Sequence, residues 1–417
     1  MLDINFIRNN PEKIKEACEK KQVKVDVDKI IELDKNMRGF LTNIETMRAE
    51  QNKISKAGAS EENIEKAKIL KHKIKVNEER FEQFKNELWP LLMMLPNIPF
   101  DDVPVGKDDS QNVIVRQIGK KPKFNFSVKD YMQIGESLDL IDTERAGKVA
   151  GSRFGYLKGA LPVLQFAIIN LALDIVRKEG FIPVIPPDML KNKMARGTGY
   201  FEATDEKEAY YLPQDDMYLV GTSEQSLIAM HADEILDEKK LPLRYVGFST
   251  CFRREAGSYG KDTKGILRVH QFDKLEMVIF SKPEDSKKEH QLLLKIEEKL
   301  MKTLGLPYQV INICTGDLGR PAAAKYDIET WLPSEQKYRE THSTSNCTDF
   351  QARRLNIRYK DKENKMQFVH TLNGTAFAIG RILIMLLENY QQKDGSVKVP
   401  KVLQKYAGFK IIKNYSN

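Results

Sequence analysis

Two runs of apolar residues at alternating steps of three and four constrain this chain more than any other feature. The first passes through Ile30, Leu33, Met37, Phe40, Ile44, Met47 and Ile54, with Gln51 as its polar member. The second passes through Ala67, Leu70, Ile74, Phe81, Phe84, Leu88 and Leu91, with Asn77 polar. That 3.5-residue period is the seam of a coiled coil. Gly58-Ala59-Ser60 separates the runs, Ser60 suits a helix cap, and Glu61 and Glu62 suit the positive end that follows. Two seams joined by so short a turn predict an antiparallel hairpin over residues 29–95. Its first helix is about 40 Å long at ~1.5 Å per residue, and the hairpin is expected to project. Pro90 and Pro96 mark where the return helix kinks and ends. Between Lys53 and Lys75, seven lysines face three acids. A solvated coiled-coil surface and an arm that touches a phosphate backbone both fit that balance.

The rest of the 417 residues can build a core, since 41% of the chain is apolar and 30% charged. The net charge of +8 permits an anionic partner without requiring one. Cys18, Cys251, Cys314 and Cys347 lie too far apart for a CxxC pair, which argues against a disulfide scaffold or a cysteine zinc cluster and fits a reducing cytoplasm. The N-terminus has no apolar signal core. The longest apolar stretch, Leu161 to Val176, is broken by Gln165, Asn170 and Asp174, so no membrane span is expected.

Pro96 to Asn112 reads as a linker, dividing a helical domain (1–110) from a second domain (111–417). There, strands at Val113–Ile118, Leu243–Phe252, Leu267–Phe280 and Tyr308–Ile313 alternate with helices at Leu161–Lys178, Glu284–Leu304 and Ala376–Tyr390. This predicts an α+β body around an antiparallel sheet flanked by helices.

Neither a P-loop nor a dinucleotide glycine motif is present, and HExxH and GxSxG are absent too. Any nucleotide site must be of another kind. In the strand from Leu267, a two-residue period puts Arg268, His270, Phe272, Lys274 and Glu276 on one face, with Leu267, Val269, Leu275, Met277 and Ile279 on the other. The first face carries cations, an aromatic ring and a carboxylate. Phe272 and Glu276 lie roughly 13 Å apart, which suits an extended ligand, although an exposed face of alternating charge reads the same way. Beside it, a hairpin loop holds Gly257, Gly260 and Gly265.

A strand that reaches Asn373 and turns at Gly374 leads into a helix apolar on nearly every side, with Arg381 in its middle. A buried guanidinium needs an anion, either a structural acid or a phosphate. Glu340 and Ser343 offer hard oxygens of the kind Mg²⁺ prefers. His342 and Cys347 lack companions for a zinc site, so no zinc is expected.

Several blocks, in order, resemble the seryl-tRNA synthetase family of class II aminoacyl-tRNA synthetases. The N-terminal hairpin resembles that family's tRNA-binding arm. Gly180–Leu190 (GFIPVIPPDML), with Pro187, is similar to motif 1. CFRREAGSYGKDTKGILRVHQFDKLE is similar to motif 2, and LNGTAFAIGRILIMLLENYQ to motif 3; GTGYF, TSE, CTGDLG and SNCTDFQARR match as well.

The resemblance implies a cytoplasmic homodimer that activates L-serine with ATP and charges tRNA(Ser), and tRNA(Sec) besides. It implies that Arg253, Arg254 and Glu255 hold ATP, with Arg253 bridging the α-phosphate and the serine carboxylate. Val269, His270, Gln271 and Phe272 would line the adenine, and Arg381 would meet the γ-phosphate. Glu340, Thr341, His342 and Ser343 would complete the ATP site, Glu340 and Ser343 ligating Mg²⁺. Thr222, Ser223, Glu224, Arg253, Glu276, Asn373 and Thr375 would form the serine pocket, with the substrate hydroxyl on Glu276 and Thr375. Catalysis would rest on Arg253, Glu255 and Arg381.

Three places in the chain depart from the usual pattern. Thr341-His342-Ser343-Thr344 stands where relatives have Ile-Ser-Ser-Cys, Arg254 where Ser is common, and Thr375 where Ser is common. Two rivals stay open on the sequence: a related ligase that loads a carrier protein, whose members lack a long arm, and a catalytically dead coiled-coil interaction protein.

Overall fold

The computed structural model describes residues 1–58, 60–201, 207–256 and 265–413. It divides into two compact units, Met1–Pro96 and Asn97–Asn417.

In the first unit, α1 (Ile4–Asn9) and α2 (Pro11–Lys20) precede two long helices, α3 (Val27–Lys56) and α4 (Glu61–Met94). Asp26 caps α3 by accepting the Lys29 N–H at 2.9 Å, and Ser60 caps α4 by accepting that of Asn63 at 3.1 Å. Every seam residue named above is buried or half-buried. Phe40 stacks on Phe84 with ring centroids 5.5 Å apart, and Arg48 pairs with Glu78 at 2.6 Å. Later residues of α3 thus meet earlier residues of α4, which makes the hairpin antiparallel. Near the turn, Lys66 pairs with Glu62 at 2.6 Å and Lys68 approaches Glu65 at 3.9 Å.

The second unit is α+β. Eight strands form its large sheet: β1 (Val113–Ile118), β2 (Ile182–Val184), β3 (Leu243–Phe252), β4 (Gln271–Ser281), β5 (Tyr308–Asn312), β6 (Ala324–Leu332), β7 (Lys337–Asn346) and β8 (His370–Ala378). Their order is β1-β5-β6-β7-β8-β4-β3-β2. Every neighbouring pair is antiparallel except β2–β3. One face packs on α5 (Ala160–Val176), α7 (Ser286–Leu304) and α8 (Ile379–Asn389) in the largest apolar cluster, where Leu275, Met277 and Ile279 meet Leu164, Leu293 and Leu383. On the opposite face, α6 (Ser223–Ala229) covers Val278 and Phe280 with Leu227 and Ile228. The polar end of β4, with Phe272, Lys274 and Glu276, extends beyond that cover.

Three local readings need correction. Residues 97–112 are not a loose linker: Asn97 Nδ2 donates to the carbonyls of Pro321 and Cys347, both at 2.8 Å, and Val103 is buried with Ile311 and Ile313. β4 begins at Gln271 rather than Leu267, because its ladder partner β3 ends at Phe252, opposite Gln271. β8 does not turn at Gly374. It continues to Ala378, held on both sides by β4 and β7. The glycine answers a packing need, since a Cβ there would lie 3.1 Å from Glu297 Oε1. α8 therefore starts later than expected, and Arg381 is its third residue, not a mid-helix one.

The helix Ala160–Lys178 is long and apolar enough to cross a membrane by composition alone, but Leu161, Leu164, Ile168, Leu171 and Val176 bury one side of it in the core.

Candidate active site

Two cavities lie along the polar face of the sheet. One, of 430 Å³, is lined by Tyr200, Thr222, Glu224, Arg253, Glu255, Lys274, Glu276, Lys325, Ser343, Ser345 and Asn373, among others. The second, of 330 Å³, is lined by Arg253, Glu255, Arg268, Val269, Phe272, Lys274, Lys325, Glu340, Thr341, Ser343, Thr375 and Arg381, among others. Arg253, Glu255, Lys274, Lys325 and Ser343 line both, so the cavities meet along a strip of charge.

Two bulges aim side chains into this cleft. Glu340 and Ser343 are three apart, an odd spacing that would put them on opposite faces of a regular strand. The β6–β7 register instead pairs Ile328 with His342 and Glu329 with Glu340, which leaves Thr341 as the extra residue. Glu340 and Ser343 therefore both reach the cleft, while His342 turns to the core side against Phe377, ring centroids 5.6 Å apart. In β8, Ala376 is the extra residue: Leu275 pairs with Phe377 and Glu276 with Thr375. This keeps Thr375 directly opposite Glu276, and Thr375 Oγ1 donates to Glu276 Oε2 at 3.2 Å. Bulges commonly re-aim side chains near functional sites in this way.

Arg253 is fixed from three sides. Its N–H donates to the His270 carbonyl at 2.9 Å, its Nε donates to the Gly221 carbonyl at 3.2 Å, and its guanidinium lies 5.3 Å from the Phe272 ring centroid. Glu255 holds a left-handed φ of 52°, a conformation costing about 1 kcal/mol or more for a non-glycine residue. Its carbonyl accepts from Arg153 Nη1 at 3.0 Å, and its carboxylate lies 3.7 Å from Arg268. Thr222 caps α6 by accepting the Glu224 N–H at 3.2 Å.

Five expected site residues line neither cavity. Ser223 is buried and donates to the Gly247 carbonyl at 3.0 Å. Arg254 donates to the Ala209 carbonyl at 2.8 Å and lies over the Tyr210 ring. His270 Nδ1 lies 2.9 Å from the Arg253 carbonyl. Gln271 is exposed on a separate cavity beyond Phe272, and His342 is in the core. The hairpin loop at 257–264, with Gly257 and Gly260, lies outside the described residues.

Comparison with known proteins fits this geometry. Residues 1–99 match the seryl-tRNA synthetase N-terminal domain, and residues 210–390 match the class II tRNA synthetase core domain (G, H, P, S and T). The chain is 45% identical to a serine–tRNA ligase of Thermobifida fusca, covering 98% of both chains.

The chain belongs to the seryl-tRNA synthetase family.

It is thereby an aminoacyl-tRNA ligase. It is also 44% identical to a serine–tRNA ligase of Dictyoglomus turgidum, over 99% of both chains. The crystal structure of seryl-tRNA synthetase from Pyrococcus horikoshii complexed with ATP superposes with a TM-score of 0.93 at 42% identity, covering both chains fully. A cytoplasmic serine–tRNA ligase from Naegleria fowleri in complex with AMP gives 0.88 at 35% identity, over 100% of this chain and 99% of that one.

The electrostatics of this synthetase cleft are set by a few pairs. Burial works against the charge of Glu340, but Arg381 and Lys325 outweigh it and hold the carboxyl down at about 2. Burial, and the nearby Glu276, push Glu224 up to about 7, although Gln351, Lys274 and Tyr200 oppose the shift. Burial also pushes Asp327 up, against its 3.2 Å pairing with Lys325. Glu340 and Ser343 present a carboxylate and a hydroxyl, the donor types a hard cation prefers; no group of three His, Cys, Asp or Glu forms a metal cluster among the described residues.

Two further residues hold the Glu224 carboxylate. Tyr200 Oη donates to Glu224 Oε1 at 3.0 Å, and Gln351 Nε2 donates to the same oxygen at 2.9 Å. They lie inside the segments GTGYF and SNCTDFQARR, the sequence signal that marks them. Lys325 and Asp327 share a strand face, but without β6 in the prediction nothing placed them near Glu340.

Proposed function

We propose that the chain activates L-serine with ATP and transfers the seryl group to tRNA(Ser), with tRNA(Sec) as a second acceptor. The observation that carries this reading is the Glu276–Thr375 pair at 3.2 Å, which joins two cavities that share a charged wall: Glu276 lines one, and Thr375 lines the other with Arg253, Phe272 and Arg381. A pocket that can bind an alcohol beside a cationic, ring-bearing pocket suits serine next to a nucleotide. The relatives solved with ATP and AMP support the nucleotide assignment.

In this reading the serine carboxylate attacks the α-phosphorus in line and pyrophosphate leaves; a ribose hydroxyl at the tRNA 3′ end then takes the seryl group. Such chemistry needs position and charge neutralisation rather than a protein nucleophile. Arg253 spans both pockets and would hold the carboxylate and α-phosphate together, Phe272 would stack on adenine, and Arg381 would face the γ-phosphate. Thr222, Glu224 and Asn373 would hold the backbone groups of serine. Glu340 and Ser343 fit Mg²⁺ by donor type, and the ion would neutralise charge between phosphates. Glu276 would discriminate against alanine, which leaves a buried carboxylate without its hydroxyl.

The α3–α4 hairpin would bind tRNA, and exposed Val163, Phe166, Ile182 and Ile185 would bury themselves in a homodimer, consistent with a cytoplasmic enzyme. Serine-dependent ATP–pyrophosphate exchange, run beside threonine, alanine and glycine, tests the activity; no exchange with serine would refute it. Replacing residues 30–95 by a short linker should preserve exchange and abolish tRNA charging.

A further inference from the structure

Lys274 is buried, only 7% exposed, on the same face of β4 as Glu276. A buried ammonium is costly unless it is paired and hydrogen-bonded. Its Nζ lies 2.8 Å from Glu276 Oε2. That oxygen also accepts from Thr375 Oγ1 at 3.2 Å, whereas Oε1 has no hydrogen bond among the described residues.

The other cations on the same wall are committed differently. Arg253 donates to the Gly221 carbonyl and Lys325 pairs with Asp327. Glu276 also has a second buried carboxylate, Glu224, as an electrostatic neighbour. A second acid nearby disfavours the ionised form of a carboxylate, and a paired cation favours it. Lys274 supplies that cation, and because the lysine and the glutamate are two residues apart on one strand, rigid backbone sets their separation.

We infer that Lys274 is a positioning residue for amino-acid selection: it pins Oε2 of Glu276 and leaves Oε1 to receive the substrate hydroxyl. This rests on the serine reading above and adds to it a residue that acts through Glu276 rather than on the nucleotide. Because Lys274 also lines the nucleotide cavity, the alternative is a direct phosphate contact, and the two differ in which Michaelis constant moves.

The experiment is serine-dependent ATP–pyrophosphate exchange on the full chain, comparing wild type, Lys274→Met, Glu276→Gln and the double variant. Lys274→Met should raise the serine KM at least tenfold and leave the ATP KM within twofold. The double variant should match Glu276→Gln within twofold, because the lysine has nothing left to position. Equal rises in both KM values, an unchanged serine KM, or multiplying effects in the double variant would each overturn the inference. Should Lys274→Met not fold, Lys274→Gln, which keeps most of the stem, is judged by the same criteria. Absence of serine exchange in the wild type would refute the serine reading itself; exchange in the wild type with an unmoved serine KM in the variant refutes the role of Lys274 alone.

Discussion

Arg381 Nη1 lies 3.2 Å from Glu340 Oε2 and donates to the Glu340 carbonyl at 2.9 Å. The arginine therefore meets its acid at the cleft, where that acid is also a candidate cation ligand, and in the proposed reaction the same guanidinium would meet an arriving phosphate. Removing a preorganised charge of this kind costs about 10²–10³ in rate. Arg381→Ala should lower exchange kcat by that amount. Arg381→Lys should recover only part of it, because a point charge cannot reproduce the fork. Steady-state exchange with both variants checks this, and equal activity of Arg381→Ala and wild type would place the arginine outside the reaction.

Glu224 sets a pH dependence. Its folded pKa, about 7, exceeds the ordinary 4.5, so the folded state holds this proton more tightly than the unfolded state. The stability this provides is complete below pH 4.5, declines as pH rises toward 7 and is gone above it. Function runs the other way: a neutral Glu224 attracts the serine ammonium poorly, so the serine KM should rise as pH falls below 7. Glu224→Gln should flatten both profiles, as denaturant titration and exchange kinetics from pH 5 to 8.5 would show.

The arm was legible because its signal is local. Ile30 through Leu91 follow a heptad that no distant contact need supply, and each seam position is covered in the hairpin. Core strands such as Leu243–Phe252 were legible for the same reason. The cleft was legible only in part. That Glu276 and Thr375 face each other depends on an extra residue at Ala376, and that Glu340 joins Ser343 depends on one at Thr341. Bulges are set by pairing between strands far apart in the chain, and no periodicity within either strand reveals them. Arg381 was misplaced for a related reason: the segment around Gly374 reads as a turn locally, and only β4 and β7 hold it extended.

His342, expected in the ATP site, is accommodated by the fold outside the cleft. It is buried against Phe377, and burial lowers its pKa to about 3. The unfolded chain takes up a proton below about 6.5 that the folded chain refuses, so this residue's contribution to stability, present above that pH, is lost toward pH 3. His342→Phe should reduce the acid sensitivity between pH 6.5 and 4. His342→Ala should cost about 2 kcal/mol through the cavity it leaves. The ATP KM should stay within twofold in both. Denaturant midpoints across that pH range, with exchange kinetics alongside, separate this packing role from a role in the ATP site.

Lys53, Lys56, Lys71 and Lys73 lie near the hairpin turn and carry no ion pair among the described residues, whereas Lys66 is paired with Glu62. If those four lysines neutralise tRNA phosphates, each releases counterions on binding and steepens the salt dependence of affinity by about 0.7–0.9 per contact. Replacing all four by alanine should therefore weaken tRNA binding most at low salt and flatten the plot of log affinity against log salt. Exchange without tRNA should be unchanged, because the arm and the cleft are separate units of the chain. Binding titrations from 50 to 300 mM salt decide the matter: parallel plots for the two proteins would return these lysines to the role of solvated helix surface.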